Sequence, residues 1–280
     1  MKKETSPLVG SEWLGQHLQD NDLRIVDCRW MLGKPGEGKK QYEEGHIPGA
    51  IHLDVDGPLS GKEGPGRHPL PDKRGFQAVL EKSGIGHETV VVAYDNGQGA
   101  PASRLWWLLR YYGHPHVSVL DGGWNSWIRS GGKISREIPV YSPATFIARP
   151  KKKWVVDKRV VEAVRDDPEV LLIDARTAER YRGEIEPIDP RPGHIPGAIN
   201  LPFTEIIDPE TGLFLKPEQL RKKFEQIGAD QVKTMICYCG SGVTACTNLL
   251  ALRMAGFEGK LYEGSWSDWS ADKELPAAQG

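Results

Sequence analysis

The feature that most constrains this chain is an internal repeat. The hexapeptide Gly-His-Ile-Pro-Gly-Ala stands at residues 45–50 and again at residues 193–198. Two flanking segments recur in the same order, residues 25–29 with 172–176 and residues 120–124 with 262–266. An identical hexapeptide between ordered partial repeats indicates duplication of a whole domain. We therefore expect two homologous domains, residues 1–140 and 154–280, joined by a stretch that contains proline and lysine.

Both halves alternate apolar runs with helical segments. The runs at 23–26 and 89–94, and at 170–173 and 234–238, are typical of buried parallel strands. Helical patterns follow at 103–111 and 245–254. Strands that alternate with helices predict an α/β fold in which each domain has a parallel sheet with helices on both faces.

Composition narrows the function. The 280 residues suffice for two domains, and a formal net charge of -2 gives no reason to expect nucleic acid or an anionic membrane as a partner. The N-terminus lacks the apolar run of a signal peptide and no segment is long enough to span a bilayer, so we expect a cytoplasmic protein. Three of the four cysteines fall within residues 237–246, which predicts reduced thiols rather than a disulfide framework.

One of these cysteines has the setting of a nucleophile. Cys239 directly follows the predicted strand 234–238, and Gly240, Ser241 and Gly242 separate it from the next helical segment. Reactive sites in open α/β sheets lie where strands end and helices begin. The two glycines allow successive backbone N–H groups to point at one centre and stabilise a thiolate. A buried core cysteine would not need such a loop, so we interpret Cys239 as catalytic.

The first half carries a different residue at the same place. Aligning Tyr94 with Tyr238 sets Asp95 opposite Cys239. A carboxylate cannot replace the thiolate that we interpret as the nucleophile, so we predict that the first domain is non-catalytic. The histidines and aspartates shared by both halves (His46 and His194, Asp27 and Asp174) are interpreted as structural, because the inactive half has them too.

The duplicated hexapeptide and the cysteine loop together resemble the rhodanese superfamily, specifically its tandem-domain thiosulfate and 3-mercaptopyruvate sulfurtransferases. The resemblance extends from Leu23 to Trp269. It implies a persulfide on Cys239 and transfer of that sulfur to cyanide, to a thiol or to a thioredoxin-like protein. No cofactor and no metal are expected.

The resemblance also implies roles for further residues. Arg180, and Arg191 as the nearest match for a second arginine, would bind the donor, together with the loop residues Gly240, Gly242, Val243 and Thr244. A relay of Ser241, His68 and Asp56 would face the cysteine, and a neutral histidine suits proton transfer near pH 7. For Arg182 and Arg191, exposure to solvent or pairing with Glu184, Glu186 or Asp189 is the structural alternative.

The loop also bears on the donor. Thiosulfate-type members carry basic residues just after the cysteine, whereas Gly240 and Ser241 occupy those places here. Fewer local cations favour a monocarboxylate thiol over a doubly charged anion. The sequence therefore favours 3-mercaptopyruvate, with thiosulfate as the closest enzymatic alternative.

Three other readings compete. A cysteine phosphatase would need an arginine six residues after the nucleophile, where this chain has Ala245. A non-catalytic or regulatory rhodanese-like module would have no need of an intact cysteine loop. A metal site of Cys237, Cys239 and Cys246 lacks the usual ligand spacing.

Overall fold

The computed structural model describes residues 6–280. Their contacts divide the chain into two compact units. The first contains residues up to Gly61, Pro71–Lys151 and Pro209–Leu213, and the second contains Lys62–Leu70, Lys152–Asp208 and Phe214–Gly280. The short segment Lys62–Leu70 thus belongs to the second unit, although it lies in the first half of the sequence.

Each unit contains one five-stranded parallel sheet. In the first unit the strands are β1 (Leu8–Val9), β2 (Leu23–Asp27), β3 (Ala50–His52), β4 (Val90–Tyr94) and β5 (Val117–Leu120), in the order β1-β5-β4-β2-β3. In the second they are β6 (Val155–Val156), β7 (Val170–Asp174), β8 (Ile199–Asn200), β9 (Thr234–Tyr238) and β10 (Lys260–Tyr262), in the equivalent order β6-β10-β9-β7-β8. The identical strand order confirms the predicted α/β fold in two copies.

Helices connect these strands, as parallel pairing requires. Those of the first unit are α1 (Ser11–His17), α2 (Glu37–Glu44), α3 (Lys73–Lys82), α4 (Ala100–Tyr111) and α5 (Gly123–Arg129). Those of the second unit are α6 (Lys158–Val164), α7 (Ala178–Arg182), α8 (Pro217–Gln226), α9 (Ala245–Met254) and α10 (Ser265–Trp269). Within residues 6–280, no helix has both the length and the apolar character needed to cross a bilayer.

Each sheet buries its own apolar core. In the first unit Ile25, Val92 and Trp127 belong to one buried cluster. In the second, Ile236 and Trp266 belong to the equivalent cluster. The central strands β4 and β9 lie between two neighbours and are buried along most of their length, so the loops that follow them leave from the middle of a rigid sheet.

A buried ion pair explains why the hexapeptide occurs in both units. At the end of β7, the Arg176 guanidinium donates to Asp174 Oδ2 at 2.6 Å and to the carbonyl of Gly193, the first residue of the hexapeptide, at 2.7 Å. Arg29 makes the same contacts with Asp27 and the Gly45 carbonyl in the first unit, at 2.6 and 2.7 Å. The repeated residues therefore fasten the hexapeptide turn to the strand end.

Candidate functional site

The cysteine loop (residues 239–244) runs from the end of β9 to the start of α9. Cys239 is the first residue after the strand and is 2 % exposed. The backbone N–H of Gly242 donates to its Sγ at 3.1 Å. Gly242 has φ +77°, a left-handed conformation that glycine adopts without steric cost. Such a donor stabilises a negative charge on sulfur.

The segment at the start of α10 fastens the loop from the other side. The N–H groups of Trp266 and Ser267 donate to the carbonyls of Cys239 and Gly240, each at 2.9 Å. Ser265 Oγ accepts from the Cys239 N–H at 3.2 Å and donates to the Tyr262 carbonyl at 3.0 Å. These bonds fix the backbone that carries the thiol.

Ser265 is a residue that the sequence interpretation missed. It has φ +54° and is the one non-glycine residue with positive φ in the described chain. The matching position of the first unit is Gly123, with φ +52°. The signal in the sequence is that a serine occupies a position at which the homologous unit has glycine. This difference could have identified Ser265.

His68 and Ser241 come together within the second unit. His68 Nδ1 lies 2.7 Å from Ser241 Oγ, and both side chains are buried. The segment that carries His68 is held by two further contacts, in which Ser267 Oγ accepts from the Arg67 N–H at 3.0 Å and Glu263 Oε2 accepts from the Leu70 N–H at 3.4 Å.

Asp56, the third predicted member of the relay, belongs to the first unit. Its Oδ2 accepts a hydrogen bond from Trp30 Nε1 at 2.8 Å.

Arg180 lies beside the cysteine loop. A Cβ placed on Gly240 would lie 3.4 Å from Arg180 Nη1 and 3.1 Å from Nη2 of a second arginine, Arg67. Gly240 is therefore the point of the loop that the two guanidinium groups approach, which the loop sequence alone did not indicate.

Carboxylates hold these arginines in place. Glu186 accepts from Arg180 Nη2 at 2.6 Å and from Nε at 3.2 Å. Asp189 lies between the two arginines, with Oδ1 2.6 Å from Arg67 Nη1 and Oδ2 2.9 Å from Arg180 Nη2. These ion pairs orient the guanidinium groups of Arg67 and Arg180.

Arg191 has different surroundings. Four of its N–H groups donate to backbone carbonyls, those of Trp269, Ser270, Asp272 and Leu275, at 2.7 to 3.2 Å. This geometry favours a role in fastening the segment after α10.

The remaining loop residues surround the start of α9. Val243 is buried and Thr244 is the residue before the helix, while Ala245, the position at which a phosphatase would carry arginine, is its first residue. Cys246 Sγ donates to the Gly242 carbonyl at 3.2 Å, and burial raises the pKa of the Cys237 thiol. In the part of the chain that the structure describes, no group of three or more His, Cys, Asp or Glu side chains could hold a metal ion.

In the first unit a carboxylate occupies the homologous loop. Asp95 follows β4 and is 3 % exposed. Its carboxylate accepts from the backbone N–H groups of Gly97, Gly99 and Ala102 at 2.8, 3.0 and 3.2 Å. The backbone N–H groups that face the centre of this loop therefore bind the Asp95 carboxylate, which belongs to the loop itself.

Comparison with known proteins bears on this arrangement. The family described as "Rhodanese-like domain" matches residues 11–130 and 157–272. A probable 3-mercaptopyruvate sulfurtransferase of Pseudomonas aeruginosa is 41 % identical over 99 % of both chains. A putative thiosulfate sulfurtransferase, SseB, of Mycobacterium tuberculosis is 36 % identical over 98 % of this chain and 96 % of its own length.

A solved structure agrees with these relatives. The crystal structure of SseA from Escherichia coli, described as a 3-mercaptopyruvate sulfotransferase, matches with a TM-score of 0.83 at 34 % identity and covers 94 % of this chain and 100 % of its own. The two parallel sheets, the duplicated hexapeptide turn and the family matches in both halves agree, and this chain belongs to the rhodanese family, as a member with two rhodanese-like domains.

Proposed function

We propose that this chain is a sulfurtransferase that takes sulfane sulfur from 3-mercaptopyruvate and carries it as a persulfide on Cys239 to an acceptor such as cyanide or a thiol. The observation that carries the proposal is the thiol of Cys239 at the end of the central strand, with the Gly242 N–H 3.1 Å from its Sγ. The relatives named sulfurtransferases span almost the whole chain, which supports the same enzyme class.

The reaction follows from the thiolate. Cys239 attacks the donor sulfur and an S–S bond forms. The donor C–S bond breaks with its electron pair going to carbon, and the thiol proton moves to that carbon to complete pyruvate. The product is a persulfide anion, which the N–H of Gly242 stabilises as it stabilised the thiolate. Attack by cyanide on the outer sulfur then yields thiocyanate and restores the thiolate.

His68 and Ser241 are the groups that we propose for the proton transfer. A hydroxyl 2.7 Å from an imidazole nitrogen can donate and accept a proton in one step. Asp56 is the third residue that the family resemblance assigns to the relay. Gly240, Gly242, Val243 and Thr244 form the proposed backbone wall around the donor.

The charge around the loop does not favour a doubly charged donor. Arg67 and Arg180 bring two positive charges to Gly240, and Glu186 and Asp189 bring two negative ones. A site without net charge has little electrostatic preference for a dianion over a monoanion. Thiosulfate is the second candidate donor, because one relative with nearly complete coverage is named a putative thiosulfate sulfurtransferase.

The two domains have different proposed roles. Residues 154–280, together with the segment Lys62–Leu70 that carries His68, form the proposed catalytic unit, and the domain that the sequence predicts at residues 1–140 has Asp95 in place of a nucleophile. A thioredoxin-like protein is a proposed acceptor besides small thiols. The cytoplasm is the proposed compartment, because the cysteines at 28, 237, 239 and 246 are all free thiols.

The test compares the wild type with Cys239→Ser. We expect the intact mass of the wild type to rise by one sulfur atom on incubation with 3-mercaptopyruvate. With cyanide as the acceptor, its kcat/KM should be higher for 3-mercaptopyruvate than for thiosulfate. Cys239→Ser should lose both properties, while Cys28→Ser, which alters a buried thiol of the other unit, should keep them. A wild type that gains no sulfur from either donor would instead support a non-catalytic module, and a higher kcat/KM with thiosulfate would support that donor.

A further inference from the structure

The first unit contains a cavity of about 300 Å³ that no residue of the cysteine loop lines. Its position is set by Asn96, which follows Asp95 at the end of β4. The cavity therefore lies at the carboxyl ends of the parallel strands, where open α/β sheets bind their ligands. The side chains that the argument uses are Arg29, Gln41, Glu44, Asn96, Trp124 and Ile134.

The two units differ in the chain that precedes the hexapeptide. In the second unit α7 ends at Arg182 and the hexapeptide begins at Gly193, so the loop 183–192 lies between them. In the first unit α2 ends at Glu44 and the hexapeptide begins at the next residue, Gly45. The first unit therefore has no counterpart of the loop 183–192.

In the second unit that loop supplies acceptors to two donors at the strand ends. Glu186 Oε2 accepts from Arg176 Nη1 at 3.4 Å, and the Arg191 carbonyl accepts from Trp266 Nε1 at 2.9 Å. The Arg176 guanidinium lies over the Trp266 ring, 4.7 Å from its centroid. A carboxylate and a carbonyl of the chain itself thus bind the two donors.

The first unit has the same two donors, and both line the cavity. Arg29 is 3 % exposed, and its guanidinium lies over the Trp124 ring, 4.5 Å from the centroid. Its Nε and Nη2 bind Asp27 and the Gly45 carbonyl, as those of Arg176 bind their counterparts. Among residues 6–280, neither Arg29 Nη1 nor Trp124 Nε1 has a hydrogen-bond partner. A carboxylate that enters the cavity would satisfy both donors.

The other lining groups favour a positive charge next to that carboxylate. Asp27 already balances the guanidinium charge, and Glu44 adds a negative one. Lys40 Nζ is 3.9 Å from Glu44 Oε1, but both side chains are about two-thirds exposed, so this pair compensates the charge only weakly. Asn96 donates through Nδ2, which leaves its Oδ1 as an acceptor. An ammonium group satisfies both oxygen groups, whereas a simple carboxylate is repelled by Glu44.

We propose that this cavity binds a free α-amino acid with an apolar side chain. The carboxylate of the ligand accepts from Arg29 Nη1 and Trp124 Nε1. Its ammonium group faces the Glu44 carboxylate and Asn96 Oδ1, and its side chain packs against Ile134. The inference goes beyond the proposed function, because it uses no residue of the cysteine loop and gives the first unit a binding role of its own.

The test measures binding at pH 7 by isothermal titration calorimetry with three probes. L-Leucine carries both charged groups, 4-methylpentanoate lacks the ammonium group, and 3-methylbutylamine lacks the carboxylate. The variants are Glu44→Gln and Trp124→Phe, which removes the indole N–H but keeps an aromatic ring beside Arg29. The control is Glu43→Gln, because Glu43 is the exposed neighbour on α2 and pairs with Lys39 at 3.8 Å as Glu44 pairs with Lys40.

We expect L-leucine to bind the wild type with a Kd of about 1 mM or tighter, as a ligand of this size can. Each analogue should bind roughly tenfold more weakly or worse, because it lacks one charge-assisted interaction. Glu44→Gln should weaken L-leucine by roughly three- to tenfold without weakening 4-methylpentanoate, from which it removes a repulsion. Trp124→Phe should weaken L-leucine and 4-methylpentanoate alike by roughly fivefold, the value of a neutral hydrogen bond, and leave 3-methylbutylamine unchanged. Glu43→Gln should match the wild type.

Three results would overturn the inference. The first is no heat of binding with L-leucine, and the second is 4-methylpentanoate binding the wild type as tightly as L-leucine does. The third is L-leucine binding that Glu44→Gln leaves unchanged, which would place the ligand elsewhere. Because Glu44 is exposed, that variant decides the question even if Trp124→Phe fails to fold. Persulfide formation on Cys239 is measured separately, so neither failure is mistaken for the other.

Discussion

Two opposing energies act on Ser265, the gain from its hydrogen bonding and the cost of its backbone strain. Its hydroxyl satisfies the buried N–H of Cys239 at 3.2 Å, while its backbone is held at φ +54°. Leaving a buried donor unsatisfied costs about 1–3 kcal/mol. Holding a side chain other than glycine in the left-handed region costs about 1–2 kcal/mol. The serine therefore keeps a strained conformation in which its hydroxyl makes two hydrogen bonds, with the Cys239 N–H and the Tyr262 carbonyl.

Two substitutions separate these terms. Ser265→Ala loses the hydrogen bond and keeps the strain, so its free energy of unfolding should fall by about 1–3 kcal/mol. Ser265→Gly loses the same bond but relieves the strain, and after the entropy of glycine is included it should be more stable than the alanine variant by about 1 kcal/mol. That difference corresponds to about 2–4 °C in Tm for a unit of this size.

The assay combines thermal unfolding with kinetics. Both variants free the Cys239 N–H and loosen the loop, so both should lose about tenfold or more in kcat/KM with 3-mercaptopyruvate. The activities should be alike although the stabilities differ. If Ser265→Ala is as stable as Ser265→Gly, the backbone of residue 265 is not strained. If Ser265→Ala equals the wild type in stability and activity, the hydrogen bond to the Cys239 N–H does not contribute.

Further predictions concern both units. Burial lowers the pKa of His114 from 6.5 to about 4, so the unfolded chain binds a proton that the folded chain does not. This contribution to stability, about 3 kcal/mol, is present above pH 6.5 and is lost as the pH falls through 4. In urea unfolding, the difference in unfolding free energy between about pH 7 and pH 4 should therefore be smaller by this amount in His114→Gln than in the wild type. Asp95→Ala leaves three N–H groups without an acceptor and should cost roughly 2–4 kcal/mol in urea unfolding, with kcat retained if the first domain is non-catalytic. Gly66→Ala would place a Cβ 2.4 Å from the Gly264 carbonyl oxygen at φ +73°, so it should displace His68 and lower kcat, whereas Gly36→Ala, with φ +80° and open space, should leave kcat unchanged.

Much of the fold could be predicted because it depends on local patterns. The predicted strand 234–238 has the bounds of β9, and the predicted helix 245–254 has those of α9. The helix predicted at 103–111 begins earlier in the structure, at Ala100, because Pro101 is compatible with the first turn of a helix. Apolar runs bounded by glycine and proline mark element boundaries without knowledge of the tertiary structure.

The candidate site was less predictable. Cys239 was identified from its own loop, whereas Arg67 and Ser265 were not assigned roles. The loop sequence also suggested few local cations, but two arginines distant in sequence approach Gly240. Charges near a site depend on every segment that packs there, so the residues next to the nucleophile give an incomplete account of its electrostatics.

The sequence by itself determined the duplication, the α/β class and the position of the proposed nucleophile, because repeats, hydrophobic patterns and glycine-containing loops are encoded in neighbouring residues. Only the tertiary structure decided that residues 62–70 belong to the second unit, that His68 meets Ser241, and that Asp189 joins Arg67 to Arg180. The physical reason is that hydrogen bonds and ion pairs act over a few ångströms in space, whereas His68 and Ser241 are separated by 173 residues along the chain.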